Sequence, residues 1–167
     1  YKDQKYDDAI LSLDRFIKFH PGNKDIAYAY YLKALCYYEQ ITGVEKDQEN
    51  TRLALQALRQ VITRFPNTEY AKDASLKLEL TYDHLAGKEM EVGRYYLNQE
   101  NYLSALNRFS VVVNDYQMTS HIEEALYRQV EIYTILGLNK EAGQAFRVLE
   151  YNYPKSKWTV DARKVLK

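Results

Sequence analysis

The chain has 167 residues, of which 46% are hydrophobic and 28% are charged. Its 23 basic residues balance its 23 acidic residues, and both signs are spread along the chain, which excludes the strong positive field of a nucleic-acid or anionic-membrane binder. A single cysteine, Cys36, excludes an internal disulfide framework, and the apolar stretch around it predicts a buried, inert thiol.

The predicted elements follow one spacing that occurs four times. An alanine is followed eleven residues later by an aromatic side chain, and the next position is proline in three of the four copies. Eight residues beyond that position stands another alanine, and in three copies a tyrosine follows after eight more. The copies are Ala9…His20-Pro21…Ala29…Tyr37, Ala54…Phe65-Pro66…Ala74…Tyr82, Ala105…Tyr116-Gln117…Ala125…Tyr133 and Ala142…Tyr153-Pro154…Ala162. A period this regular is typical of repeat architectures.

Apolar residues recur at offsets 0, 4, 7 and 8 from the first alanine of each copy, which is the spacing of one helix face. Only Glu150, at offset 8 of the last copy, departs from the pattern. Proline is expected to end this helix because it lacks an amide donor, and a polar turn then leads to a second helix. Neither helix can bury its stripe alone, so neighbouring units must stack. The sequence therefore predicts an all-α fold, an α-solenoid of helix–turn–helix repeats.

The first predicted helix carries Ala9, and the second carries Ala29. By its spacing, Ala9 belongs to the second helix of a unit whose first helix is not in the chain. We therefore expect one flank of its apolar stripe, formed by Leu13, Phe16 and Ile17, to be left uncovered.

The next elements are unequal in length, because the intervals between successive copies differ. The polar segment Thr42–Asn50 is predicted to be a loop that precedes the third helix. One long or gently kinked helix is predicted near Tyr70–Gln99, because its 14 extra residues are roughly four helical turns and preserve the buried face. Gly87 and Gly93 are its expected weak points.

The remaining helices carry the last four alanines of the pattern, Ala105, Ala125, Ala142 and Ala162. Together the elements predict a single solenoid, 1–167, of about four repeats. Its expected divisions are 1–20, 21–65, 66–116 and 117–153, followed by a terminal helix at 154–167.

The polar residues give no catalytic, metal-binding or cofactor-binding pattern. His20, His84 and His121 lack metal-site spacing; His20 fills the aromatic position of the repeat, and the other two are expected at the surface or in a groove. Glu89 and Glu91 are two residues apart on a helix and face different ways, so they cannot act together as acid and base. We therefore expect no enzymatic activity, no catalytic residues, no metal and no cofactor.

Tyrosine is unusually frequent, with 17 residues. The repeat explains many of them, but not Tyr28, Tyr31 and Tyr38, which lie close to one face of the second helix. One interpretation is a peptide-binding groove, since tyrosine offers rigid contact area with a hydroxyl group. The other is additional core packing and solubility, and the sequence leaves both open.

Two segments carry a resemblance to a known family. Residues 83–97 read DHLAGKEMEVGRYYL, and residues 101–109 read NYLSALNRF. With the lengthened tetratricopeptide-like repeats, they resemble the BamD family of lipoproteins of the β-barrel assembly machinery. The glutamine at Gln117 fits the alphaproteobacterial form of that family.

The resemblance implies a non-catalytic scaffold at the periplasmic face of the outer membrane. Its partners would be a BamA POTRA domain, other assembly-machinery lipoproteins and unfolded outer-membrane proteins. Members have five repeats and a lipidated N-terminal cysteine, so the first repeat and the anchor are expected to be absent from this chain. The implied partner-binding residues are Arg94, Tyr102, Asn107 and Arg108. The implied receptor for the aromatic C-terminal signal of unfolded proteins is the tyrosine groove.

Two other functions remain compatible with the repeats alone. The chain could be a periplasmic tetratricopeptide scaffold of the cell-division coordinator type. It could also be the helical domain of a lytic transglycosylase whose catalytic domain lies elsewhere.

Overall fold

Eight α-helices are formed by residues 5–41 and 48–166, the part of the chain that this computed structural model describes. They are α1 (Tyr6–Phe19), α2 (Ile26–Glu39), α3 (Gln48–Arg64), α4 (Glu69–Asn98), α5 (Tyr102–Asp115), α6 (Ile122–Ile135), α7 (Asn139–Asn152) and α8 (Lys157–Val165). No strand occurs among these residues. The predicted all-α fold of tetratricopeptide-like helix–turn–helix repeats is confirmed, and the repeat boundaries stay a prediction.

The chain divides into two compact units, Tyr1–Thr81 and Tyr82–Lys167. In the first unit α2 packs against both α1 and α3. The buried core of that unit consists of small and medium-sized side chains, and partly buried tyrosines pack against it. Its members are Ala34, Ala57, Leu58, Val61 and Ala74.

In the second unit α6 is the central helix, because it contacts α5, α7 and α8. Two buried clusters form around it. One contains Ala86, Met90, Ala105, Phe109, Val112, Ala125 and Ile132. The other contains Ile122, Leu126, Val130, Ala145, Leu149 and Ala162.

The apolar stripe is buried where the repeat predicts it. Its fully buried members include Leu58, Val61, Phe109, Val112 and Leu149. In α1 the equivalent residues Leu13, Phe16 and Ile17 are only half-buried. The exceptional Glu150 has its own partner on α8, since its Oε1 accepts hydrogen bonds from Arg163 Nη2 at 2.6 Å and Nε at 3.1 Å.

The long helix is present as predicted. α4 covers 30 residues and passes through Gly87 and Gly93 without a break. It ends in a tight turn in which Glu100, with φ of 57°, adopts a left-handed conformation. The Asn101 amide donates to the Tyr96 carbonyl at 2.9 Å in that turn. In a Schellman-type helix end this is the hydrogen bond that spans more residues.

Helix α5 ends without a proline. Its C-cap residue, Tyr116, has φ of −127°. This value is close to the φ of −131° at His20 and −132° at Tyr153, the C-cap residues that precede prolines. The Tyr116 carbonyl accepts hydrogen bonds from the Thr119 amide at 3.1 Å and from its hydroxyl at 2.7 Å. These bonds hold the turn, so the helix ends at the same repeat position although Gln117 replaces proline.

The predicted loop Thr42–Asn50 extends too far. Residues 42–47 lie outside the described residues, but 48–50 form the first turn of α3. Glu49 explains the earlier start, because a carboxylate favours a helix N-terminus. It also pairs with Arg52 at 2.7 Å, three residues on, which supports the helix.

Candidate functional site

The three candidate tyrosines lie along α2 where it packs against the beginning of α4, within the first unit. We call this surface the tyrosine seam. Its members are Tyr28, Tyr31, Tyr38, Tyr70, Asp73 and Lys77. The structure thus brings the predicted tyrosines together with three α4 residues that the sequence did not single out.

Aromatic contacts form one end of the tyrosine seam. The Tyr70 ring lies 5.5 Å from that of Tyr28 and 5.2 Å from that of Tyr31, with which it is stacked. These separations are typical of favourable ring pairs. Tyr28 is 46% exposed, whereas the other two rings are half-buried. The open apolar surface at this end is therefore provided mainly by Tyr28.

Polar contacts form the other end. The Tyr31 hydroxyl donates a 2.6 Å hydrogen bond to Asp73 Oδ2. That bond, helped by the nearby Lys77 ammonium, holds the pKa of the Asp73 carboxyl below its usual value. Lys77 Nζ lies 3.2 Å from Asp73 and 5.3 Å from the centre of the Tyr38 ring, so it joins an ion pair to a cation–π contact.

Two exposed leucines extend the apolar surface of α4. Leu76 is 60% exposed and Leu80 is 56% exposed. They are four residues apart and lie next to Asp73 on the helical wheel, on the side away from Lys77, so they share one side of α4. Sequence analysis missed them because they fall outside the repeat stripe; their spacing of four was the available signal.

In the second unit, Arg108 on α5 is paired with Glu89 on α4. Its Nη1 donates to both carboxylate oxygens, at 3.2 and 3.5 Å. Within residues 5–41 and 48–166, neither Nε nor Nη2 of this guanidinium has a hydrogen-bond acceptor. Asn107 beside it is exposed. Leu103, four residues before Asn107 and 67% exposed, is an apolar neighbour that sequence analysis missed.

Arg94 belongs to a chain of ion pairs between α4 and α6. Its Nη1 donates to Glu124 Oε2 at 3.0 Å, and the other oxygen of Glu124 accepts from Arg128 Nε at 3.4 Å. Arg128 also donates to Glu131 at 2.8 Å, and its guanidinium lies 5.8 Å from the ring centre of Trp158. The pKa of Arg128 is raised by these carboxylates, although burial of the guanidinium opposes the rise.

The four residues implied as a partner-binding set do not form one patch. Arg108 is paired with Glu89 on α4. Glu89 and Arg94 lie on opposite edges of the buried side of that helix, because Met90 lies between them on the helical wheel. Tyr102 is half-buried against the core cluster around Phe109. Of the four residues, Asn107 and Arg108 are the exposed pair, next to each other on α5.

The other residues singled out from the sequence have structural surroundings. His20 is exposed and tilts against Phe16, with ring centres 5.4 Å apart. His84 is exposed, whereas His121 is half-buried with Nε2 3.7 Å from Asp83 Oδ2. Cys36 is fully buried, as predicted, and burial raises the pKa of its thiol.

No group of three or more metal-ligating side chains lies together in the described part of the chain. In the same residues, none of the helices has the length and apolar character needed to cross a membrane.

Comparison with known proteins gives a family for this arrangement of helices. The sequence profile of the YfiO family, described as outer membrane lipoprotein, matches residues 1–148. The chain belongs to the YfiO family. The match covers both core units of the fold up to α7, and it confirms the resemblance found in residues 83–97 and 101–109.

Relatives in this family are named outer membrane protein assembly factor BamD. The Rickettsia prowazekii relative is 53% identical over 163 residues, which are 98% of this chain and 65% of the relative. The Caulobacter vibrioides relative is 51% identical over 166 residues, which are 99% of this chain and 54% of the relative. A Neisseria meningitidis relative is 34% identical over 172 residues. The chain therefore spans about half to two thirds of the length of these YfiO-family relatives.

Proposed function

We propose that this chain is the scaffold part of an outer membrane protein assembly factor, which has no catalytic step of its own. The YfiO-family match over residues 1–148, with relatives named BamD, carries the proposal. The family description supports a place at the outer membrane, and we assign the protein to its periplasmic face through a lipid anchor. The two rival functions, a cell-division scaffold and a transglycosylase domain, have no comparable support.

The proposed partner of the second unit is a BamA POTRA domain, together with other lipoproteins of the assembly machinery. Its proposed contact is the α5 face, which we define as Leu103, Asn107 and Arg108. Glu89 occupies one nitrogen of the Arg108 guanidinium, which leaves the Nε–Nη2 edge to a partner carboxylate. Two parallel hydrogen bonds at that edge would give both strength and orientation.

Arg94 and Tyr102 take a supporting part in this proposal. Arg94 holds the first turn of α6 through Glu124, and Tyr102 packs against the core beneath the α5 face. Their substitution should weaken partner binding less than substitution of Arg108, because they act on the position of α5 and α6.

Binding of the purified chain to a POTRA segment tests the α5 face. Arg108→Glu should weaken the affinity at least tenfold, because it places a negative charge against the partner carboxylate, and tenfold corresponds to about 1.4 kcal/mol. Arg15→Glu is the matched control, since Arg15 is also an exposed helical arginine but lies on α1. Equal affinities for Arg108→Glu and the unchanged chain would rule out this contact.

The tyrosine seam is the proposed site for segments of unfolded outer-membrane proteins. Its open ring at Tyr28 and the exposed Leu76 and Leu80 suit aromatic and apolar side chains. A fluorescent peptide ending in phenylalanine is a suitable ligand for measurement. Its binding would show whether the tyrosines act as a groove or only as packing.

Tyr28→Ala and Leu76→Ala should each weaken peptide binding about fivefold or more, the effect of truncating one of the few contact side chains that carry most of the binding energy. Leu11→Ala is the control for Leu76, because Leu11 on α1 is 59% exposed and Leu76 is 60% exposed. If the α1 variant loses as much affinity as the α4 variant, the tyrosine seam is not the binding site.

A further inference from the structure

Helix α7 carries an exposed apolar stripe that its own fold does not cover. Arg147, Val148 and Tyr151 share one side of the helix because they lie three and four residues apart. Tyr151 is 86% exposed and Val148 is 47% exposed. The buried side of the same helix, with Ala142 and Leu149, lies opposite. This stripe therefore contributes nothing visible to the core.

The repeat itself does not require these residues. Tyr151 lies at offset 9 from its repeat alanine, and the same position in α5 is Asn114, which is polar and exposed. The exposed Tyr151 ring is therefore not accounted for by the packing that the repeat requires.

An open depression of about 540 Å³ lies along this side of the helix. Its lining residues are Arg147, Val148, Glu150, Tyr151 and Asn152. Most of its surface is apolar, and Arg147 and Glu150 are the charged residues of its lining. That arrangement suits one or two apolar side chains of a partner, oriented by a charge.

The local charge favours an acidic ligand. Glu150, the acidic residue of the depression, is neutralised by the two hydrogen bonds from Arg163. Within residues 5–41 and 48–166, neither Arg147 nor Lys155, which follows α7, is in an ion pair. Between positions 139 and 167 the sequence has seven basic and three acidic residues. The uncompensated charge near the depression is therefore positive, although the chain as a whole is neutral.

We propose that this α7 face, defined as Arg147, Val148 and Tyr151, binds an extended acidic peptide segment of a partner protein. An apolar side chain of the peptide would pack on Tyr151 and Val148, while a peptide carboxylate pairs with Arg147. A flat anionic membrane is the less suitable partner, because stable attachment needs a larger cluster of basic residues than two. The α7 face is separate from the α5 face, so this site does not depend on the proposed POTRA contact.

Fluorescence anisotropy with two labelled peptides tests the proposal on the whole chain. Each peptide has about eight residues, enough in extended form to cover the roughly 20 Å length of α7. One peptide has glutamates around a central leucine and phenylalanine, and the other has lysines in place of the glutamates. The acidic peptide should bind more tightly, and its affinity should fall as salt is added.

Two α7 variants and one α5 control locate the site. Arg147→Glu and Tyr151→Ala should each weaken the acidic peptide at least about fivefold, whereas Asn114→Ala should leave it unchanged. All three positions are exposed, so circular dichroism should show the same fold in every variant. Equal binding of both peptides, unchanged binding by both α7 variants, or binding to phosphatidylglycerol vesicles without peptide binding would each overturn the proposal.

Discussion

The ring of Phe109 lies directly against the backbone of Gly93. A methyl group on that glycine would stand 2.6 Å from Phe109 Cε1 and 2.9 Å from Cζ, closer than carbon atoms can approach without a shift. Phe109 is fully buried, so its ring has no free space into which it can move. The glycine that interrupts helical propensity in α4 therefore permits the close contact between α4 and α5.

Gly93→Ala should destabilise the protein by about 1–2 kcal/mol. The helical preference of alanine would contribute roughly 1 kcal/mol in its favour, but overpacking a filled core costs up to about 3 kcal/mol. Gly87→Ala on the same helix is the control. There the new methyl group would stand 3.1 Å from the half-buried His121 ring. That ring can rotate away. Urea unfolding should give Gly87→Ala a higher free energy of unfolding than Gly93→Ala. The opposite order would contradict the packing explanation.

Tyr31→Phe should destabilise the first unit in a pH-dependent way. Because the folded-state pKa of Asp73 is lowered, its stabilising effect is present above the unfolded pKa of about 3.9 and is lost as pH falls through the folded pKa. Removal of the Tyr31 hydroxyl should cost about 0.5–1.5 kcal/mol at neutral pH. The loss should shrink in acid. Tyr28→Phe is the control, and a cost that stays constant across pH would exclude the Asp73 bond as its origin.

Glu124→Gln should destabilise the second unit by about 1–3 kcal/mol, because it removes the charge that two arginines share. The Glu124 side chain is only 16% exposed, so water cannot readily replace it. Glu123→Gln, one residue earlier on α6, should change stability by less than about 0.5 kcal/mol. If thermal unfolding does not separate the two variants, the ion-pair chain has no measurable structural role.

Glu100→Gly should stabilise the protein by about 0.5–1 kcal/mol. Glu100 has φ of 57°, and a residue with a Cβ pays about 1 kcal/mol for that conformation, whereas glycine does not. Gly137 has φ of 73° at the end of α6, so Gly137→Glu provides the reciprocal test. Melting temperatures should rise for the first variant and fall for the second; a fall for both would refute the strain argument.

The features that depend on helical period could be predicted from the sequence. The long helix around Met90 and the buried positions of Leu58 and Phe109 follow from spacing alone, and the structure has them where expected. The end of α5 could be placed but not explained, because the hydrogen bonds from Thr119 to the Tyr116 carbonyl replace the missing proline.

The features that depend on pairing between distant segments could not be predicted. Tyr31 and Asp73 are 42 residues apart, and Arg94 and Glu124 are 30 apart. A pattern of residue types along one helix contains no information about which side chain of another helix will face it. The sequence therefore showed neither the Glu124 partner of Arg94 nor the Glu89 partner of Arg108.

Thr81 and Tyr82, which end one unit and begin the other, are consecutive residues in the middle of α4. An α-helix joins each amide to the carbonyl four residues earlier. A break in α4 at this point would therefore create a new helix end, with about four amides or carbonyls left without partners. We expect α4 to unfold as one helix, in one cooperative step, because such a break is costly.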